Sequence, residues 1–242
     1  MTGQRTFKLM AMINLDSIYN IDVLDGMQEM KYESVDLIVT DPPYLTFYAS
    51  RRNGDKSYKF AHEILNDKNS DLISQYLHEC YRVLKTDCAA YVFSSPKTVD
   101  FFLQESKDAG FRVQNLIVWD KESHTAGDLD HQFGCQYEII LLLNKGRAMI
   151  RGKRHSDLWR CPRIPPTKAV HQNQKPLPLI ERCIKSHSDV GDIVFDGFMG
   201  SGTTAVAAIN SKRHYIGFEL SEGYYKIAQK RIAEAKRTPT LF

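Results

Sequence analysis

Hydrophobic residues are distributed along the chain in two alternating patterns, which together predict strands separated by helices. Short continuous apolar runs are typical of strands that are buried on both faces of a sheet. Seven such strands are predicted, ending near residues 21, 40, 93, 119, 143, 195 and 218. Apolar residues at helical spacing occur between several of them, as over 71–84, 99–109 and 223–236. This alternation favours an α/β domain built on a doubly wound, mostly parallel sheet.

The apolar run over residues 35–40 leads into the turn Asp41-Pro42-Pro43-Tyr44. Ligands of parallel sheets bind outside the carboxyl ends of the strands, and two prolines stiffen the turn that follows this one. Such a turn suits a planar group that carries an amine. The amine would donate to Asp41 and to the carbonyl of Pro42, while the ring would stack on Tyr44. An ordinary proline-rich turn is the alternative, and these four residues alone favour it.

A glycine-rich turn follows a second short strand much further along the chain, in the stretch from Val194 to Thr204. Gly200 and Gly202 would let a ligand approach the backbone closely at the start of a helix. The spacing matches neither G-x-G-x-x-G nor the P-loop pattern, which disfavours dinucleotide and P-loop sites. The next strand ends in Glu219, an acid well placed to bind two ribose hydroxyls.

Together these stretches resemble the amino-group DNA methyltransferases that use S-adenosylmethionine, and the resemblance covers most of the chain. Asp41 to Tyr44 matches the catalytic motif of that family, Asp196 to Thr204 its cofactor motif, and Glu219 its ribose acid. His171 to Pro176 matches the H-x-x-Q-K-P segment that precedes the cofactor motif, and Asp22 matches the acid near the adenine of the cofactor. The catalytic motif comes first along the chain, an order similar to the β class.

The resemblance implies a Rossmann-like methyltransferase fold with circularly permuted motifs and an antiparallel edge formed by the strands over 113–119 and 138–143. It implies methyl transfer from S-adenosylmethionine to the exocyclic N6 of an adenine flipped out of double-stranded DNA, with Asp41, Pro42, Pro43 and Tyr44 as catalytic residues. The implied cofactor-binding residues are Asp22, Val23, Lys175, Pro176, Asp196, Phe198, Gly200, Ser201, Gly202, Thr203, Thr204, Glu219 and Leu220.

Two positions depart from the family pattern. Gly197 stands where the family usually has proline, and Gln172-Asn173 where it usually has Pro-Thr. Neither position replaces a group that should carry chemistry.

Four other functions remain open at this stage. Cytosine N4 presents a similar amine, although enzymes with that specificity more often have serine at the position of Asp41. RNA or a free nucleotide could also supply the amine. A non-catalytic DNA-binding subunit could keep the fold, although it would have no reason to keep Asp41, Gly200 and Glu219. An NAD-dependent oxidoreductase would bind NAD and not S-adenosylmethionine.

Charge is unevenly distributed along the chain. Residues 145–168 carry eight basic side chains against one acidic one, a net charge of +7, whereas the whole chain has +3 and the remainder therefore −4. Such asymmetry is expected where one face meets phosphates. A short basic target-recognition insertion is therefore predicted at 145–170, with a flexible loop of net +3 at 45–62. A solvated surface is the alternative for both. The predicted DNA-binding residues are Arg51, Arg52, Lys145, Arg147, Arg151, Lys153, Arg154, Arg160, Arg163 and Lys168.

The remaining composition limits the partners and the compartment. Five cysteines without a C-x-x-C pair predict reduced thiols in a cytoplasm, and the resemblance implies a prokaryotic or phage-encoded protein. The acids and histidines between His124 and His131 fit no standard zinc pattern, so no metal is expected. Double-stranded DNA is the expected partner. A homodimer and an accompanying restriction endonuclease are compatible with the resemblance, and the sequence decides neither.

Overall fold

The computed structural model describes residues 13–45, 69–124, 130–131, 133–165, 167 and 174–237. Strands and helices alternate over most of this part of the chain. Its elements are β1 (Ser17–Tyr19), α1 (Val23–Gln28), β2 (Val35–Thr40), α2 (Ser70–Val83), β3 (Leu84–Ser94), α3 (Val99–Asp108), β4 (Arg112–Asp120), β5 (Tyr137–Lys145), β6 (Leu158–Arg160), α4 (Leu177–His187), β7 (Ile193–Asp196), α5 (Thr203–Asn210), β8 (His214–Phe218) and α6 (Glu222–Arg237).

The strands form a single sheet in the order β1-β8-β7-β2-β3-β5-β4-β6. All neighbouring pairs are parallel except the two that involve β5, which runs antiparallel to both β3 and β4. The predicted α/β class and mostly parallel sheet are confirmed. Two details were wrong. The described residues contain an eighth strand, β6, inside the basic segment, and the antiparallel strand lies within the sheet and not at its edge.

Helices cover both faces of the sheet, and each face has its own hydrophobic core. One core packs α1, α2 and α3 against the sheet, with Tyr76, Leu77 and Phe102 fully buried. The other packs α4, α5 and α6 against the opposite face, with Leu179 and Ile184 fully buried. The apolar stripe of α2 has the helical period that predicted it, and the side chain of Asn69 caps its first turn. In the described part of the chain, no helix is long and apolar enough to cross a membrane.

The strand order brings the four predicted motifs to one edge of the sheet. β1, β8, β7 and β2 are neighbours and run parallel, so their carboxyl ends lie side by side. Asp22 follows β1, Glu219 follows β8, Asp196 ends β7, and Asp41 follows β2. Because β5 runs the other way, its first residues also reach this edge. We call it the catalytic edge, meaning the side of the sheet where the parallel strands have their carboxyl ends and not an outer strand. Side chains that are far apart in sequence are thereby placed in one row.

Candidate active site

Asp41 lies at the centre of a compact polar cluster. Its Oδ2 atom accepts a hydrogen bond from Nζ of Lys175 at 2.6 Å, and its Oδ1 atom lies 2.6 Å from the hydroxyl of Tyr44. Lys175 also donates to the Tyr44 hydroxyl at 3.0 Å. The Asp41 side chain is 23 % exposed, so part of it remains in contact with solvent. Thr98, at the start of α3, donates to the backbone carbonyl of Tyr44 and fixes the end of the turn.

Two residues that sequence reasoning missed complete this cluster. Glu138, the second residue of β5, places Oε2 at 2.7 Å from the hydroxyl of Tyr44 and 3.3 Å from Nζ of Lys175. Its Oε1 atom forms an ion pair with Nζ of Lys121 at 2.7 Å. A signal was present in the sequence, since Glu138 is a charged residue at the start of an otherwise apolar strand. Only the antiparallel direction of β5 shows that this end of the strand meets Asp41.

Burial and mutual contact set the protonation of the cluster. Removal from water raises the pKa of Asp41, and the negative charge of Glu138 acts in the same direction, while Lys175 opposes both. Burial alone would depress the pKa of Lys175, but the carboxylates of Asp41 and Glu138 outweigh it and raise that pKa. Burial likewise works against the ionised form of Glu138, yet Lys175 and Lys121 lower the pKa of that carboxyl. Lys175 and Glu138 are therefore charged at neutral pH.

The glycine-rich turn between β7 and α5 is held by internal hydrogen bonds. Asp196 is almost fully buried and accepts from the backbone N–H of Phe198 at 3.0 Å and from the hydroxyl of Thr204 at 2.6 Å. Burial raises the pKa of Asp196 to about 7. Gly200 and Gly202 adopt φ angles of 54° and 83°, in the left-handed region that favours glycine. The acid and the hydroxyl of this motif thus shape the turn.

Glu219 closes the turn from the neighbouring strand. One carboxylate oxygen accepts from the backbone N–H of Gly200 at 2.8 Å, and the other accepts from that of Ser221 at 2.7 Å. An ionised carboxylate offers about four acceptor positions, so two remain for hydroxyl donors. This geometry fits the ribose of a nucleoside cofactor, because the acid and the glycine turn are in direct contact at the catalytic edge.

Other predicted cofactor residues lie around this turn with varied roles. Asp22 caps α1 and accepts from the backbone N–H of Leu24 at 2.9 Å. Val23 is buried beside Gly197, whereas Leu220 is 46 % exposed. Pro176 caps α4, and the Lys175 before it is directed at Asp41 and Tyr44. The predicted contact of Lys175 with the cofactor carboxylate stays a prediction.

Helix α6 contacts the glycine-rich turn between β7 and α5 from outside; we call this turn the cofactor turn after its predicted role. Arg231 of α6 donates through Nη1 to the backbone carbonyl of Ser201 at 2.6 Å, to the Ser201 hydroxyl at 2.8 Å and to the Thr203 hydroxyl at 3.2 Å. Arg231 therefore faces the turn. The hydroxyls of Ser201 and Thr203 are thus engaged within the protein.

Tyr76 of α2 joins the cofactor turn to the end of β2. Its hydroxyl donates to Thr40 at 2.7 Å, directly before Asp41, and its ring meets Phe198 edge to face at 4.8 Å between centroids. The ring fills the space above Gly197, where an added Cβ would lie 2.5 Å from Cε2 of Tyr76. This explains the departure from the family pattern at Gly197, because a larger residue has no room there.

The basic segment does not form one continuous patch. Lys145 ends β5 at the edge opposite the catalytic edge, and the backbone N–H of Arg151 donates to Ser186 at the end of α4, on that same far side. β6 then pairs with the last residues of β4, which brings Arg160 back to the catalytic edge. The segment therefore crosses the protein, and of these three only Arg160 lies at the catalytic edge, on the outermost strand.

One predicted DNA contact is wrong. Lys145 is 4 % exposed, and its ammonium donates to the backbone carbonyls of Tyr81 and Leu84 at 3.0 and 2.8 Å and pairs with Glu33 at 3.1 Å. That ammonium is committed to the core and is not available to a phosphate. The exposed members of the segment are Arg147, Lys153, Arg154, Arg160 and Arg163, while Arg151 is half-buried and pairs with Asp189.

Some predicted residues lie outside the described part of the chain. They are Arg51 and Arg52 of the 45–62 loop, Lys168 of the basic segment, and His171, Gln172 and Asn173 of the H-x-x-Q-K-P segment. Their roles stay predictions.

The fold thus brings a glycine-rich turn in contact with Glu219 and the partly exposed side chain of Asp41 to the carboxyl ends of neighbouring strands. Residues 35–230 match the family model of N6/N4 DNA methylases. The chain belongs to this DNA methylase family. It is 34 % identical to the putative methylase YubD of Escherichia coli K12, with 89 % of each chain covered. It is 29 % identical to the DNA adenine methyltransferase YhdJ of the same organism, over 89 % of this chain and 82 % of that one.

A solved structure shares the whole architecture. The complex of M1.HpyAVI with S-adenosylmethionine is 26 % identical, with a TM-score of 0.69, and the match covers 89 % of this chain and 98 % of that one.

Proposed function

We propose that the protein transfers a methyl group from S-adenosylmethionine to the exocyclic N6 of an adenine flipped out of double-stranded DNA. The observation that carries this proposal is the side chain of Asp41, 23 % exposed, directly after the strand next to the one that leads into the cofactor turn. The relative YhdJ, named as a DNA adenine methyltransferase, supports adenine as the base.

Asp41 addresses the main chemical difficulty of this reaction. The lone pair of an aromatic amine is delocalised into the ring, so the nitrogen is a poor nucleophile until it becomes pyramidal. An acceptor at Asp41 and another at the Pro42 carbonyl would take both N–H groups and turn the lone pair toward the methyl donor. A full negative charge at Asp41 also stabilises the positive charge that develops on the nitrogen.

The residues that would hold the cofactor follow from the row at the catalytic edge. Glu219 would accept from the ribose hydroxyls, the backbone around Gly200 and Gly202 would lie against the ligand, and Asp22 would lie near the adenine ring. S-adenosylmethionine supplies the reactive methyl group when it is bound. The adjacency of β7 and β2 then aligns the two substrates, which is the main source of rate when little acid–base chemistry is needed.

DNA is the proposed polymer because part of the basic segment, around Arg160, returns to the edge where Asp41 lies. A paired base cannot reach Asp41 inside a stack, so it must be flipped, and the ring of Tyr44 would receive it. Arg160 and Arg163 are exposed on the segment that returns to this edge and would contact phosphates.

The test is an analysis of the modified base. Duplex DNA is incubated with the protein and S-adenosylmethionine carrying a labelled methyl group, digested to nucleosides and separated by liquid chromatography with mass detection. N6-methyladenine is expected. Label in N4-methylcytosine alone would keep the mechanism but change the base, and label in neither would refute the proposal.

A further inference from the structure

Glu138 lies at the catalytic edge without a part in the chemistry described so far. Its side chain is 16 % exposed and shares two partners with Asp41, the hydroxyl of Tyr44 and the ammonium of Lys175. These contacts tie the start of β5 to the end of β2 through side chains alone. The arrangement has consequences for charge and for hydrogen bonding at Asp41.

The first consequence concerns charge. Asp41 and Lys175 at 2.6 Å form a neutral pair, which is poorly suited to stabilise a positive charge on a substrate amine. Glu138 adds a second negative charge beside the same ammonium, so these three side chains together carry −1. Lys121 pairs with the other oxygen of Glu138 at 2.7 Å, while Glu138 is the member of that pair that contacts Lys175 and Tyr44. The negative potential at Asp41 therefore depends on Glu138.

The second consequence concerns hydrogen bonds. The hydroxyl of Tyr44 has one hydrogen but lies 2.6 Å from Asp41 and 2.7 Å from Glu138. It can donate to only one carboxylate at a time. When it donates to Glu138, the Oδ1 atom of Asp41 is released to accept an N–H of the substrate. Glu138 thus offers the hydroxyl an alternative acceptor when the substrate arrives.

We propose that Glu138 is a positioning residue for methyl transfer, which shares Lys175 and Tyr44 with Asp41 and so adds negative potential beside Asp41 and frees its Oδ1 atom to accept the substrate amine. This inference rests on the proposed function, since it requires an amine at Asp41. Among the described residues, the other charged or titratable groups that face Asp41 are Lys175, Tyr44 and Asp196.

The experiment measures single-turnover methylation of duplex DNA across a pH series for wild type and Glu138→Gln. Glutamine keeps the shape of the side chain and removes its charge. The rate is expected to fall at least ~10-fold, in line with the loss of one electrostatic group. The acidic limb of the profile should also move to lower pH. Asp41 must be ionised to act, Glu138 raises its pKa, and removal of that negative charge lowers it.

Two further variants keep the test falsifiable. Lys121→Met removes the balancing cation, so the acidic limb should move to higher pH, opposite to Glu138→Gln. Glu222→Gln is the matched control, because Glu222 is exposed on α6 and pairs with Lys226, and among the described residues it has no contact with the Asp41 cluster. It should keep the wild-type rate and profile. Melting temperature and calorimetric affinity for S-adenosylmethionine report whether each variant is folded.

The outcomes separate the two proposals. A folded Glu138→Gln variant with wild-type rate, or with a lower rate and an unmoved acidic limb, would overturn the positioning role. Opposite shifts in the Glu138 and Lys121 variants would support it. If wild type methylates no base, the proposed function fails, and this inference fails with it.

Discussion

Replacement of Gly197 by alanine tests the fit between the cofactor turn and α2. The new Cβ would lie 2.5 Å from Cε2 of Tyr76, 2.8 Å from its hydroxyl and 2.8 Å from Cγ2 of Val23. Ordinary contacts between such atoms are about 3.5–4.0 Å, so the ring must move by roughly 1 Å. Tyr76 is fully buried, and its hydroxyl bond to Thr40 leaves it little freedom to do so.

The expected cost follows from these contacts. Overpacking of a well-filled core destabilises by about 1–3 kcal/mol, and the lost hydroxyl bond adds about 1 kcal/mol. For a chain of this size, the total of about 2–4 kcal/mol corresponds to a melting temperature lower by roughly 5–15 °C. Affinity for S-adenosylmethionine should fall as well, because Phe198 of the cofactor turn packs against the same ring.

The assay is thermal and urea unfolding, with calorimetric titration of the cofactor. Gly223→Ala is the matched control, because Gly223 lies in α6 and a Cβ there meets only the Ser221 hydroxyl, at 3.8 Å. It should be neutral or slightly stabilising. The double variant Gly197→Ala/Tyr76→Leu should be destabilised by less than the sum of the two single variants, as expected for residues in contact. A Gly197→Ala protein as stable as wild type, or effects that simply add, would refute the argument.

Three further predictions address the other parts of the site. Asp41→Asn should lower the single-turnover methylation rate at least ~10²-fold while binding of S-adenosylmethionine survives; an unchanged rate would remove the mechanism. Glu219→Ala should weaken calorimetric affinity for the cofactor by at least ~10-fold, since each hydrogen bond to a charged acceptor contributes about 1.5–3 kcal/mol, and equal affinity would exclude its role in cofactor binding. Arg160→Ala should weaken DNA binding and reduce its salt dependence by up to ~0.9 log units, whereas Arg151→Ala, on the far side of the protein, should do neither; the reverse result would move the DNA surface.

The sequence predicted the elements well where local pattern decides them. The stripe of α2 and the apolar run of β2 each depend on residues close in the chain, and their positions agree with the structure within a residue or so. β6 was missed because three residues that include Trp159 carry no periodic signal. Only pairing with β4 makes them a strand, and that contact is distant in sequence.

The residues of the site likewise fall into two groups, those that a local pattern predicts and those that only the sheet topology places. Asp41 and Glu219 could be predicted because each directly follows a recognisable strand. Glu138 could not, since its position depends on the direction of β5. Lys145 was misjudged for a related reason: its charge suggests a surface residue, but its place at the far end of β5 directs it into backbone carbonyls. Sequence patterns place a residue at the start or end of a strand, but they do not show the direction of that strand in the sheet and therefore at which edge the residue lies.

The direction of β5 also bears on how this protein can be re-engineered. The chain leaves β4 and returns to β5 at the same edge, and the ion pair of Lys121 with Glu138 joins the two ends of that connection. A second contact joins the same two ends: Nε2 of Gln136 donates a hydrogen bond to Oδ1 of Asp120 at 2.9 Å. Both ends are thus anchored independently of what lies between them. Because both described ends are anchored, a foreign segment inserted between residues 122 and 135 is expected to leave Asp41 and Glu138 in place.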